Sequence, residues 1–81
     1  MDKRETLSML TPGKKAIIKG ISPSLFIRRR LLDLGFIEGM AIECLQKSML
    51  GNPVSYFINQ TVIALRLEDA DKIFINSIKN S

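Results

Sequence analysis

The residue types that most often carry catalysis or bind transition metals are sparse in this chain of 81 residues. Histidine is absent, which removes the commonest general base and the commonest nitrogen ligand for a transition metal. Cys44 is the only cysteine and alternates with Ile42 in an apolar stretch, so we expect it to be a core side chain rather than a nucleophile or a ligand. A hydrolase triad and an imidazole metal site are therefore excluded.

The carboxylates offer only a weak alternative. Glu68, Asp69 and Asp71 lie within four positions and could bind a hard divalent cation through oxygen, but the spacing of a calcium loop is not present. A solvated acidic turn is the simpler interpretation. The methionines form no spaced cluster, and the glycines form no phosphate-binding loop. We predict no catalytic residue, no metal site and no cofactor.

The charges are unevenly distributed along a chain whose net charge is +4. Residues 6–32 contain six cations and no aspartate or glutamate. This distribution suggests an acidic partner, a nucleic acid or an anionic membrane surface, although a solvated basic face would give the same pattern. The cations are Lys14, Lys15, Lys19, Arg28, Arg29 and Arg30.

Length and composition predict one small domain over residues 1–81. We expect its core at about residues 7–75, the span of a family resemblance described below, and termini that fray. The apolar runs are far shorter than the ~20 residues needed to cross a bilayer. A lone cysteine allows no intramolecular disulfide, which fits a reducing compartment. We therefore expect a cytoplasmic protein.

Turn signals divide the chain into short segments, as is typical of a small barrel or sandwich. We predict five strands, at residues 15–20, 40–46, 54–58, 61–66 and 73–75, with one short helix after the first. A two-residue turn at residues 59 and 60 would pair the flanking strands residue by residue. The predicted pairs are Ile58 with Thr61, Tyr56 with Ile63, and Val54 with Leu65.

The helix is predicted over residues 24–34, with Ser24 as its N-cap and Gly35 just beyond its end. Ile27, Leu31 and Leu34 recur at helical spacing and would face the core. Four other residues fall on or beside the opposite face, where we expect an exposed patch that binds a partner protein. They are Leu25, Arg28, Arg29 and Leu32. The alternative is that the two leucines pack under a neighbouring loop.

Several segments together resemble ferrous iron transport protein A, the FeoA family, over residues 7–75. The strongest match is Arg30-Leu31-Leu32-Asp33-Leu34-Gly35-Phe36, followed by Gly39. Weaker matches are Leu7, Leu10 and Gly13, Gly51-Asn52-Pro53-Val54, Ala64-Leu65-Arg66, and Ala70 with Ile73. In the hairpin, Gln60 stands where the family usually has glycine, so we expect Asn59 to carry the positive φ.

The resemblance implies a small SH3-like β-barrel that is not an enzyme. It also implies an accessory to FeoB, the membrane iron transporter with a cytosolic GTPase domain, so we expect docking on that cytosolic part and recruitment to the inner face of the membrane. The alternatives are a basic barrel that binds nucleic acid and an iron-responsive regulatory module, since the barrel is similar to the C-terminal domain of iron-dependent repressors. Aromatic residues are only 6 % of the chain, which disfavours a stable complex with nucleic acid. Self-association is left open.

Overall fold

The computed structural model describes residues 5–78. A 3₁₀ helix at Leu7–Met9 precedes five strands and two short helices. In chain order these are β1 (Lys15–Ile21), α1 (Arg28–Asp33), β2 (Ala41–Lys47), β3 (Val54–Ile58), β4 (Thr61–Leu65), α2 (Leu67–Ala70) and β5 (Ile73–Ser77). The prediction of a mainly β fold of five strands with one helix after the first strand is confirmed.

The strands form one antiparallel sheet in the order β4-β3-β2-β1-β5. Irregularities in register interrupt β1 between Ile18 and Gly20 and β2 between Cys44 and Gln46. Such bulges bend a strand and increase its twist. Here they curve the sheet around a single apolar core.

The β3–β4 hairpin has the register that the sequence predicts. Val54 pairs with Leu65, Tyr56 with Ile63, and Ile58 with Thr61. Both turn residues, Asn59 and Gln60, have positive φ, at 50° and 64°. Two successive residues of this kind give the turn whose twist matches that of the strands.

Alternate residues of the strands fill the core, as the period of a half-buried strand requires. Ile42 and Cys44 of β2 and Ile73 and Ile75 of β5 are buried, as predicted. Tyr56 is fully buried and its hydroxyl donates a hydrogen bond of 3.4 Å to the carbonyl oxygen of Leu7. Leu7 of the 3₁₀ helix is therefore part of the core.

The predicted helix is wrong at its N-terminal end. Residues 24–27 form turns, and α1 begins only at Arg28, with Ile27 as its N-cap. The amide of Leu25 donates to the carbonyl of Ser22, and that of Arg28 to the carbonyl of Leu25. These bonds span three residues, so the segment is a pair of tight turns and not a first helical turn.

The helix ends as predicted, at a glycine. Gly35 has a φ of +108°, its amide donates to the carbonyl of Leu32, and the amide of Phe36 donates to the carbonyl of Leu31. This pair of bonds is the Schellman motif, in which the residues that flank the turn also pack together. Leu31 and Phe36 are both fully buried.

Gly35 also lies against the β3–β4 turn. A Cβ atom at Gly35 would lie 2.9 Å from Cβ of Asn59 and 3.0 Å from Nδ2 of the same residue. The end of α1 and the tip of the hairpin can approach this closely only because residue 35 is glycine and has no side chain.

The N-terminal residues cover the outer edge of β5, which the sequence did not predict. Thr6 forms a bridge with Phe74, and the amide of Ile75 donates to the carbonyl of Glu5. The amide and hydroxyl of Ser77 donate to the Glu5 carboxylate. Of the expected frayed C-terminus, residues 76 and 77 are paired in β5, whereas residues 1–4 and 79–81 lie outside the described residues.

Gly35→Ala is expected to lower the free energy of unfolding by more than Gly39→Ala does. Both glycines have positive φ, where a side chain typically costs ~1–3 kcal/mol, but only Gly35 has a neighbour within 4 Å of the added Cβ. Urea unfolding of both variants measures the difference. Equal losses would show that the contact with Asn59 contributes nothing.

Candidate protein-interaction site

The turns that precede α1 place a large apolar side chain in solvent. Leu25 is only 5 % exposed and packs into the core, whereas its neighbour Phe26 is 98 % exposed. The loop is held at its base, because the amide of Ser22 donates to the carbonyl of Lys72. Burial of Leu25 therefore directs Phe26 outward from a fixed segment.

Three exposed arginines follow on α1. Arg28, Arg29 and Arg30 occupy its first half, and no carboxylate in the described part of the chain forms an ion pair with them. We call these three arginines, together with the exposed Phe26 that shortly precedes them in the chain, the 26–30 surface. An aromatic side chain beside arginines is the composition that recurs at energetically important positions of protein interfaces.

The exposed patch expected from the sequence is therefore corrected in part. Arg28 and Arg29 are exposed, but Leu25 belongs to the core and Leu32 is half-buried and packs against it. The helical spacing of 100° per residue does not apply to residues 24–27, which are not helical. Both leucines pack against the core in the structure, whereas the alternative expectation had placed them under a neighbouring loop.

Phe26 was not singled out from the sequence, and the structure adds it to the candidate site because its side chain is exposed. Leu25, Phe26 and Ile27 are three consecutive apolar residues, and consecutive side chains of a turn cannot all face one core. This run of three apolar residues was the feature of the sequence from which an exposed apolar side chain could have been predicted. Two further exposed apolar residues, Met49 and Leu50, lie in the loop between β2 and β3 and are 101 % and 93 % exposed.

The two titratable side chains of the core, Cys44 and Tyr56, are in surroundings that favour their neutral, protonated forms. Burial raises the pKa of the Cys44 thiol above its ordinary value of 9.0. The positive charge of Lys47 partly opposes this increase in pKa, and the negative charge of Glu43 adds to it. Burial also raises the pKa of the Tyr56 phenol, with a smaller contribution from Cys44. A thiol that stays protonated is a poor nucleophile and a poor ligand.

Of the three neighbouring carboxylates Glu68, Asp69 and Asp71, the structure gives Asp71 a structural role. The hydroxyls of Ser8 and Thr6 both donate to the Asp71 carboxylate, which connects the end of α2 to the N-terminal segment. Glu68 and Asp69 lie in the first turn of α2. Among residues 5–78 no group of three or more histidine, cysteine, aspartate or glutamate side chains is placed to hold a metal ion. None of the helices in that range has the length and apolar character to cross a membrane.

The fold is a small five-stranded β-domain with an exposed phenylalanine and exposed arginines on the segment that enters α1. The model of the FeoA domain matches residues 5–77. The chain belongs to the FeoA domain family, which is associated with ferrous iron transport and comprises small accessory domains rather than known enzymes.

Known proteins agree with this assignment. The chain is 36 % identical over 75 residues to an Fe(2+) transport protein A/Fe(2+) transporter FeoB fusion protein of Porphyromonas gingivalis; the match covers 93 % of the chain and only 9 % of the fusion protein. An FeoA-like protein from Clostridium acetobutylicum superposes with a TM-score of 0.87 at 25 % identity, covering 100 % of this chain and 94 % of that one.

A third similar protein is the FeoA of Stenotrophomonas maltophilia, described as a prokaryotic SH3 domain protein complexed with zinc. Its TM-score is 0.80 at 28 % identity, and 89 % of each chain is covered. The SH3-like class expected from the resemblance is therefore confirmed.

We expect the unfolding free energy to fall as the pH rises above about 9. Both buried groups have a raised pKa, so the unfolded chain loses protons that the folded chain retains, beginning at 9.0 for the thiol and 10.0 for the phenol. Each group lowers the unfolding free energy by up to ~1.4 kcal/mol per pH unit in this range. Below the ordinary pKa of each group, its contribution to stability is fully present. Denaturant unfolding at a series of alkaline pH values measures the slope.

Tyr56→Phe is the control for that experiment, because it keeps the ring and removes the ionisable hydroxyl. It should flatten the part of the slope that begins near pH 10. An identical pH profile in this variant would contradict the assignment.

Proposed function

We propose that the protein is a non-enzymatic accessory of ferrous iron uptake that docks on the cytosolic part of a FeoB-type transporter and supports its assembly or activity. It works in the cytoplasm, recruited to the inner face of the membrane. The observation that carries the proposal is the 26–30 surface, on a domain of a family associated with ferrous iron transport.

The fusion relative supports the choice of partner. In that protein an FeoA-like segment and FeoB are parts of one chain. Joining two modules covalently raises their effective concentration for one another, which is useful where the two modules act together.

The 26–30 surface provides the chemistry for that affinity. Phe26 can bury its ring in a pocket of the partner at little cost in stability to its own fold, because it contributes almost nothing to the core. Arg28 and Arg29 can pair with carboxylates around that pocket. Charges around an apolar centre set the orientation and the rate of association.

A nucleic-acid-binding barrel is supported less well. Such barrels combine a basic groove with several aromatic side chains on which successive bases stack. Here Tyr56 and Phe36 are buried and Phe74 is half-buried. The exposed rings of Phe26 and Phe57 lie apart in the chain, in the loop before α1 and in β3. The aromatic residues therefore form no continuous stacking surface.

Phe26→Ser is expected to weaken binding to the isolated cytosolic part of the transporter by about 30-fold, the equivalent of ~2 kcal/mol for an aromatic anchor. Arg28→Glu should also weaken binding, and more strongly at low salt. Calorimetric titration gives the affinities, and thermal melting should show nearly unchanged stability for both variants because the two side chains are exposed.

The matched controls are Met49→Ser, an equally exposed apolar residue, and Lys14→Glu, an equal change of charge before β1. Both should bind within about twofold of the unmodified protein, as is usual for surface changes outside an interface. Absence of binding by the unmodified protein, together with normal iron uptake in a strain that lacks it, would contradict the proposed function. Equal losses in the controls would mean that the docking face lies elsewhere.

A further inference from the structure

The two edges of the sheet are treated differently by the rest of the chain. The outer edge of β5 is covered, because the carbonyl of Glu5 accepts the amide of Ile75 at 3.0 Å and Thr6 bridges to Phe74. The outer edge of β4 has no such cover among residues 5–78. The sheet therefore ends in solvent on one side only.

The exposed edge also lacks the usual protection against pairing. Natural edge strands are commonly blunted by lysine, proline, a bulge or short length. The sequence of β4 is Thr-Val-Ile-Ala-Leu, without charge or proline, and its pairing with β3 is regular throughout. Val62 is 61 % exposed.

The register identifies the main-chain groups that point outward. A two-residue hairpin turn makes Ile58 and Thr61 a hydrogen-bonded pair, and in an antiparallel ladder such pairs alternate with pairs that do not exchange hydrogen bonds. Thr61, Ile63 and Leu65 thus bond to β3. The amide and carbonyl groups of Val62 and Ala64 face away from the sheet, and no group within residues 5–78 forms a hydrogen bond with them.

A groove runs along this edge between β4 and α1, with a volume of about 490 Å³. All five residues of β4 line it on one side, and Ile27, Leu31 and Leu34 of the α1 segment line the other. An edge with free main-chain groups and an apolar opposite wall suits an extended peptide, whose backbone pairs with the edge while alternate side chains enter the groove.

The charges at the groove select the occupant. Arg30 and Arg66 line it, against the single carboxylate of Asp69. A second copy of this chain would bring the same arginines and a net charge of +4, so self-pairing through β4 is disfavoured. An extended segment that carries acidic as well as apolar residues is complementary.

We propose that β4 is a strand-addition site that receives an extended acidic and apolar segment of the transporter's cytosolic part, paired through the main chain of Val62 and Ala64. This inference rests on the proposed function for the identity of the partner. It adds the mode of binding, and it places a second contact along β4, next to Arg30 of the 26–30 surface.

Amide hydrogen exchange of the ¹⁵N-labelled protein, free and with the transporter's cytosolic part, tests the proposal. The amides of Val62 and Ala64 should exchange rapidly in the free protein and at least about tenfold more slowly in the complex, whereas those of Ile63 and Leu65 should be protected in both. Binding without added protection at Val62 and Ala64 would overturn the proposal and leave the proposed function intact. Absence of any binding would overturn both.

Self-pairing is read from the same experiment. If Val62 and Ala64 are already protected in the free protein, and the protection grows with protein concentration, the occupant is a second copy and the proposal is wrong. Rapid exchange that does not depend on concentration supports an edge that is open until the partner arrives.

Two pairs of variants provide a second readout. Ala64→Pro removes an outward amide without touching the β3 ladder and should weaken binding about tenfold, the equivalent of one or two lost hydrogen bonds, while Ala64→Thr keeps the amide and should bind normally. Arg66→Glu should weaken binding, whereas Lys72→Glu, an equal change of charge after α2, should not. Unchanged affinity of a folded Ala64→Pro variant would contradict strand addition.

Discussion

The close approach of Gly35 to Asn59 determines where α1 lies on the sheet. The Schellman turn at the end of the helix needs a residue with positive φ, and the β3–β4 turn leaves no room for a Cβ at the same position. One glycine therefore satisfies two demands at once. Leu31 and Phe36, buried on either side of it, hold the turn against the core.

Both candidate contact regions follow from that placement. With its C-terminal end fixed beside the hairpin, α1 forms one wall of the groove along β4 and presents Arg28 and Arg29 on the outside. The turns before the helix are anchored by Leu25 and direct Phe26 into solvent. A domain of this size has few ways to display contacts without weakening its core, and a short helix on an inserted loop is one that costs little apolar burial.

The sequence predicted the parts of the fold that local patterns control. The alternation in β3 and β4 and the two-residue turn determine the hairpin register, and Gly35 marks the helix end. The predicted start of α1 was wrong because an apolar spacing that is compatible with a helix is equally compatible with turns that bury Leu25. The cover of β5 by Glu5 and Thr6 depends on contacts between the two ends of the chain, which no local pattern records. In the candidate site, Arg28 and Arg29 were predicted, but Phe26 was not. Its exposure depends on the turns at residues 24–27, which were predicted as helix.

The proposed function requires that the 26–30 surface contacts the transporter in the cell. The most direct measurement is photo-crosslinking, with a photo-reactive amino acid incorporated at position 26 or, for comparison, at position 49, which is equally exposed. We expect a covalent adduct with the FeoB-type transporter from position 26 and little or none from position 49. An adduct from position 49 alone, or no adduct with the transporter from position 26 while iron uptake is supported normally, would contradict it.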